Sequence, residues 1–396
     1  MINLSLCIIT KNEAKHLDKC LASCISICDE IILVDSGSSD STIEIAKKFG
    51  AKIYQIDWRD DYSYARNIAI EKASGKWILF LDGDEYLVNG NKILKSLEKA
   101  EDVVGGFYIE RKDAFYHPEN GKICFVPIGI TRIIKNHKKI RFEEPVHEFA
   151  GRSVLKSGFK LSYIDKAYIH HNIIANSKTF LNQKQKKYLR LIENSVEKDP
   201  KNFWQRYHQG KTLWFFSRYQ DSLNVFQEVL NDPTCAIEIK KASYRNILAI
   251  LVRQKEYQQA KDHVDRYTHL FNIESEDFFL HGDLWLYTGQ YKKALKSYAK
   301  IKTNIHPTNT IGYFPSGFYL YKWQKLFRIS LCFYKKAPLV SLFLLNLSLL
   351  YNNRYVDALL LKSRIFKNQG KRNKSCQLFQ QVKKINPEWE IMYKDL

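Results

Sequence analysis

The chain has 396 residues, enough for two or three domains of ordinary size, which excludes a single small module. Hydrophobic residues make up 45% and aromatics 14%, with 17 Gly and 9 Pro, so disordered, collagenous and low-complexity classes are excluded too. The net charge of +20 is unevenly spread: residues 1–150 carry 21 basic and 23 acidic side chains, residues 151–396 carry 41 and 19, and no carboxylate side chain occurs from 301 to 356. A boundary between chemically different units is expected near residues 150–200. The basic part points to phosphate, nucleic acid, an anionic membrane surface or an acidic partner.

The first ninety residues alternate short apolar runs with helix-period segments, the pattern of parallel strands joined by crossover helices. Strands read at 4–10, 30–35, 51–57 and 76–82, with helices at 13–27, 41–49 and 64–74 between them. Ser41 and Glu44 have capping-box spacing, and Gly50 closes that helix. After a helix at 91–100, β-like segments read at 105–116, 123–135, 140–150 and 161–171, with turns at 117–122 and 136–139. Eight cysteines without a C-x-x-C pair read as reduced thiols, and Cys20, Cys24 and Cys28, on one helical face, as small core residues first and a metal-collecting set second. The start lacks a secretory signal, and the longest apolar stretch, 337–350, is interrupted by Ser341, Asn346 and Ser348 and falls short of the roughly 20 residues of a membrane span. The expected location is cytoplasmic, with peripheral attachment at the inner membrane face left open.

From Thr179 onward the pattern is helical and a phrase recurs: RYQDSLNVFQEVL, KEYQQAKDHVDRY, GQYKKALKSYAKI and GKRNKSCQLFQQVKKINP. Its small residues Ser222, Ala260 and Ala294 are 38 and 34 residues apart, a spacing that resembles tetratricopeptide repeats, pairs of antiparallel helices stacked into a superhelix. A stretch at 304–320 breaks the phase before Ser375. Such repeats imply a partner-binding module, and the division reads as 1–195 and 196–396.

The chemistry gathers at the carboxyl ends of the four N-terminal strands: Thr10, Lys11, Asn12 and Glu13 after the first, Asp35 and Ser36 at the second, Asp57 at the third, and Asp82, Gly83, Asp84 and Glu85 at the fourth. In open α/β sheets ligands bind at that edge. Asp82 and Asp84, one residue apart after an apolar strand, call for a compensating cation, and hard oxygen ligands suit Mg2+ or Mn2+ held together with substrate phosphates. Neither G-x-G-x-x-G after the first strand nor a P-loop is present, which argues against a dinucleotide dehydrogenase and a P-loop kinase.

TKNE at 10–13, VDSGSSDST at 34–42, WRDDYSYARN at 58–67 and FLDGDE at 80–85 together resemble the family 2 glycosyltransferases of GT-A fold over the first half of the chain. Within that family the 58–67 segment is similar to lipopolysaccharide-core enzymes and to bacteriocin S-glycosyltransferases, which also carry a tetratricopeptide-like domain. The resemblance implies an α/β GT-A domain with a Rossmann-like mixed sheet, followed by an all-α repeat domain, and an inverting, metal-dependent transfer from a nucleotide-sugar, a UDP-hexose first. It places Thr10, Asn12, Glu13, Asp35 and Ser36 at the nucleotide, with Asp35 accepting from uracil. Asp57, Arg66 and Asn67 complete the nucleotide and sugar pocket, Asp82 lies near ribose and metal, and Asp84 is on the metal.

The base is sought in FEEPVHEF at 142–149: Glu148 first and Glu144 second, with His147 orienting the acceptor or touching diphosphate. The other reading of Glu143 and Glu144 is a solvated edge neutralising Lys138, Lys139 and Arg141. His171, ahead of His170, is the candidate nitrogen ligand to the metal. The acceptor is a cell-surface or lipid-linked glycan, or a peptide Cys or Ser, positioned by the repeats; nucleic acid is not expected, and the oligomeric state is open, with a homodimer among the options. The competing reading is a basic scaffold or nucleic-acid-binding protein with a non-catalytic α/β domain.

Overall fold

The computed structural model describes residues 3–116, 123–172, 178–303 and 321–385. They fall into two compact units, residues 3–114, 125–172 and 178–225 in the first, and 115–116, 123–124, 226–303 and 321–385 in the second. The turn read at 117–122 and the phase break read at 304–320 lie outside the described residues.

The chain begins β1 (Leu4–Thr10), α1 (Leu17–Ala22), β2 (Glu30–Asp35), α2 (Thr42–Lys48), β3 (Lys52–Gln55), α3 (Tyr62–Lys72), β4 (Trp77–Asp82), β5 (Glu85–Val88) and α4 (Asn91–Glu98). It continues through β6 (Val104–Tyr116), β7 (Ile123–Lys135), α5 (Gly151–Lys156) and β8 (Lys160–Asn172) into α6 (Lys178–Lys198), α7 (Phe203–Phe215) and α8 (Tyr219–Asn231). The strands form one mixed sheet in the order β3-β2-β1-β4-β7-β6-β8-β5. β1 to β4 are parallel, and β7 runs antiparallel beside β4.

Burial on both faces explains why β1 and β4 are apolar apart from Ser5, Thr10 and Asp82. Leu4, Leu6, Ile8, Leu79 and Leu81 face a core shared with Leu17 and Leu21 of α1 and Ile93 and Leu97 of α4. Cys7, Ile32, Val34, Ile78 and Phe80 face the opposite core, with Ala65, Ala69 and Ile70 of α3. Each fully buried aliphatic or aromatic side chain contributes about 1.5–3 kcal/mol to holding the sheet between its helices. Cys20 and Cys24 are wholly buried in the first core and Cys28 packs against it.

Three local readings change. The helix read at 13–27 shortens to α1, with turns on either side. Ser41 gives α2 no side-chain cap; Asp40 does this instead, accepting from Thr42 N at 3.0 Å and from its hydroxyl at 2.5 Å. The 140–150 segment is not a strand: apart from an isolated bridge between Glu143 and Phe149 it is a loop. Pro145 and the left-handed backbone at Glu144 (φ 79°) and His147 (φ 54°) interrupt strand geometry.

The second unit is a series of antiparallel helices: α9 (Ile237–Arg253), α10 (Tyr257–Tyr267), α11 (Ser275–Tyr287), α12 (Tyr291–Ala299), α13 (Lys322–Phe333), α14 (Pro338–Tyr351), α15 (Val356–Asn368) and α16 (Arg372–Ile385). The recurring small residues Ala260 and Ala294 are fully buried, as is Ser222 on α8, and Ser375 is nearly so. They mark close helix approaches: a Cβ on Gly282 of α11 would come within 2.4 Å of the Tyr298 ring of α12, and Ser363 of α15 bonds Ser375 of α16 at 2.8 Å. Among the described helices none is long and apolar enough to cross a membrane.

Candidate functional site

Strand register brings the polar strand ends to one level, Thr10 beside Asp35 and Ile9 beside Asp82. Asp35 is fully buried and folds its own loop: Oδ2 accepts from Gly37 N and Ser38 N, both at 2.9 Å, and Oδ1 from Ser38 Oγ at 2.5 Å. The turn needs φ +92° at position 37, which glycine supplies without strain. Asn12 joins TKNE to this loop, its Oδ1 accepting from Ser39 N at 2.7 Å, and Ser36 N donates to Thr10 O at 3.0 Å.

Asp82 is held by two buried arginines. Arg132 of β7 places Nη2 2.6 Å from Asp82 Oδ2 and 2.9 Å from Glu85 Oε1. Arg66 of α3 donates from Nη2 to Asp82 Oδ1 at 2.7 Å and from Nε to Glu148 Oε1 at 2.8 Å. Burial by itself would raise the Asp82 carboxyl, but Arg132 and Arg66 overcome it and hold Asp82 well below the usual carboxylate range. Both Asp82 oxygens thus bond guanidinium groups.

Asp84 faces the other way. His171 Nε2 on β8 lies 3.3 Å from Asp84 Oδ2, and its Nδ1 is 2.9 Å from Asp113 Oδ1 on β6. Burial opposes the imidazolium, but the bonds to Asp113 and Asp84, with the field of Glu85, raise His171 to about 9. The neighbouring Glu13 carboxyl is pushed up to about 7 by burial and by Asp84 and Asp82. The pocket therefore favours positive charge and crowds negative charge. Gly83 fits between the two aspartates because Glu13 crosses it: a Cβ there would meet Glu13 Cγ at 2.8 Å and Cβ at 2.9 Å.

The 142–149 loop is fixed from both sides. Asn67 donates to Phe142 O at 3.0 Å and accepts from Phe142 N at 2.8 Å, so its amide pins the loop backbone to α3. Val146 packs on Leu191 and Ile192 of α6, and Gln205 of α7 donates to Val146 O at 2.8 Å. Within this loop Glu148 points to Arg66, while Glu144 accepts from Asn202 Nδ2 at 2.8 Å and pairs with Arg152. Glu143 pairs with Arg152 and Lys156, in place of the Lys138, Lys139 and Arg141 that the solvated-edge reading expects. His147 is stacked on His208 at 3.8 Å, and burial, with Lys211 and Lys184, lowers it to about 3. Asp57 is exposed two residues beyond β3, outside this ion-pair network, and His170 stacks on Tyr86.

Among the described residues, Thr10 Oγ1 and Arg66 Nη1 are buried without a hydrogen-bond partner. Arg132, Arg111 and Asp113 were missed in the sequence. Their signal is charge within strands that otherwise read apolar, since a charge buried in a sheet needs a partner. Arg111 pairs with Asp113 at 2.7 Å and Glu85 at 3.4 Å.

Residues 5–159 match the family model Glycosyl transferase family 2. A TPR repeat-containing protein of Synechococcus elongatus is 38% identical over 157 residues, 39% of this chain and 37% of its own length. The SPbeta prophage-derived glycosyltransferase SunS of Bacillus subtilis is 28% identical over 233 residues, 57% of this chain and 52% of its own. The chain thus spans about half or less of these relatives. Among solved structures, S. aureus TarS in complex with UDP-GlcNAc aligns over 76% of this chain and 84% of its own, with 15% identity and a TM-score of 0.37. A tetratricopeptide repeat protein from Parabacteroides merdae aligns over 52% of this chain and 76% of its own, with 13% identity and a TM-score of 0.41. Residues 5–159 are a domain of glycosyl transferase family 2, on a chain that continues into a long series of helices.

Proposed function

We propose that the site transfers a hexose from a UDP-sugar to an acceptor hydroxyl or thiol, with inversion and with the help of Mn2+ or Mg2+. The observation that carries this reading is the Asp84–His171 pair, an oxygen and a nitrogen donor 3.3 Å apart. The residues fit a divalent ion. Asp113 orients His171 through Nδ1, as a ligating imidazole requires, and the surrounding carboxylates already draw a proton onto the ring. Among the described residues no group of three or more such side chains is arranged to hold a metal, so diphosphate oxygens and water would complete the shell. Bound there, the ion would neutralise charge on the departing nucleoside diphosphate.

The chain's own groups supply the rest. Asp35 Oδ1 accepts one hydrogen bond in its loop and retains a lone pair for a base N–H. Thr10 Oγ1 and Arg66 Nη1 donate to the donor substrate. Arg66 holds Glu148 in place, so that Glu148 takes the acceptor proton as the acceptor atom bonds C1 and the C1–O bond to diphosphate breaks. The helical repeats are assigned to holding the acceptor, a glycan or a peptide side chain.

The test is a donor screen with UDP-Glc, UDP-GlcNAc, UDP-Gal and GDP-Man in manganese, followed by mass spectrometry of candidate acceptors. Hydrolysis of a UDP-sugar that chelation and Asp84→Ala both abolish is the expected result. Consumption of none of the four, or full activity in Asp84→Ala, overturns the reading.

A further inference from the structure

α14 carries apolar side chains on both faces, Leu342, Leu345 and Leu349 toward the core and a second set toward solvent. On a helix that packs against a water-soluble core, apolar residues turn inward and polar ones outward. Here the inward residues include Ser341 and Ser348, both fully buried, and Ser348 Oγ donates to Trp323 O at 2.8 Å. The outward residues are Leu339, Val340, Phe343, Leu350 and Tyr351, of which Leu339 is 73%, Phe343 62% and Leu350 79% exposed. At 100° per residue these five lie within one continuous face of about 120°. A single exposed leucine is ordinary, but five large apolar side chains on one face mark a surface that meets something other than water.

The charge around this face says what that is. Lys335 and Lys336, both exposed, lead into the helix, and Lys322 Nζ lies 2.7 Å from Tyr351 Oη at its far end. No carboxylate side chain occurs anywhere from 301 to 356 to offset them. Apolar side chains flanked by lysine, without acidic residues, complement the boundary between acyl chains and anionic headgroups.

We infer that the outer face of α14 docks this protein on an anionic lipid bilayer, with Leu339, Phe343 and Leu350 inserted below the headgroups and Lys322, Lys335 and Lys336 among the phosphates. This inference stands apart from the donor chemistry, because none of these residues belongs to the sheet-edge site. It makes the helix a surface anchor, not a span.

The experiment is co-sedimentation of the full chain with vesicles of phosphatidylcholine alone and of phosphatidylcholine mixed with phosphatidylglycerol, over a salt series. The wild type is expected to sediment with the mixed vesicles, to release as salt rises, and to bind phosphatidylcholine far less. Phe343→Glu with Leu350→Glu should weaken binding about tenfold or more, and Lys335→Glu with Lys336→Glu by a similar factor, each with an unchanged thermal melt. The charge-reversal pair keeps the test available if the apolar pair disturbs folding. Absence of wild-type binding to the mixed vesicles overturns the inference, as does undiminished binding by both variants. A wild-type dimer that Phe343→Glu dissociates, with no vesicle binding, assigns the face to a second copy instead.

Discussion

Arg132 places Nη2 2.6 Å from Asp82 Oδ2, across from β7 to β4, and this contact divides the labour between the two aspartates of the Asp82-Gly83-Asp84 motif. The first aspartate is bound into the scaffold by arginine. The second, one residue further, is left facing His171. On the proposed reading the motif supplies one structural anion, Asp82, and one metal ligand, Asp84.

Alanine at the two positions should therefore behave differently. Asp82→Ala leaves Arg66 and Arg132 without their shared partner, and removing one side of a buried ion pair costs about 3–5 kcal/mol. Asp84→Ala should leave the melting temperature nearly unchanged while abolishing metal-dependent donor hydrolysis. Thermal melts and hydrolysis on both variants check this; equal loss of stability would contradict the division.

Gly83→Ala should damage the site through sterics alone. The added methyl meets Glu13 Cγ and Cβ, which are near the backbone and not the free end of a side chain. Overpacking of this kind costs about 1–3 kcal/mol, and the displaced Glu13 should weaken donor binding as well. Calorimetric titration of UDP into this variant, showing wild-type affinity, would refute the coupling of the two motifs.

Glu148→Gln should lower transfer by about 10²–10⁴-fold with little change in donor affinity, the size of effect associated with a lost general base. Glu144→Gln should retain transfer, because Glu144 is occupied by Asn202 and Arg152. Steady-state rates with the identified acceptor separate the two, and the reverse order would move the base to Glu144.

Much of the fold was legible because it follows from periodicity. The parallel strands show as apolar runs, and Ala260 and Ala294 show as small residues recurring where helices must approach closely. The site was legible only as far as strand ends reveal it. What decides the role of Asp82 is Arg132, fifty residues away in sequence, and nothing local to Asp82 announces that pairing. The partner of Asn67, the Phe142 backbone, likewise becomes a neighbour only through tertiary folding. The 140–150 loop read as a strand because its aromatic and aliphatic residues suit one, whereas Pro145 and two positive-φ residues decide otherwise.

The helical unit should lose stability in mild acid, and His263 is the group to follow. Its ring stacks on Tyr244 at 4.8 Å, and Nε2 donates to Tyr244 O at 3.0 Å. Burial, with smaller effects from Arg266 and His281, lowers it to about 4, against the backbone bond, which favours the charged ring. An unfolded histidine takes a proton near pH 6.5, so between that value and about 4 the unfolded chain binds a proton that the folded one refuses. Stability is then complete above roughly pH 6.5 and falls as the pH drops, by about 2 kcal/mol at about pH 5. His263→Gln can still donate to Tyr244 O but cannot charge, so denaturant unfolding followed from neutral pH to about pH 5 should show a shallower loss than in the wild type. Parallel curves for the two proteins would mean that other groups carry the acid sensitivity and that His263 is already protonated in the fold.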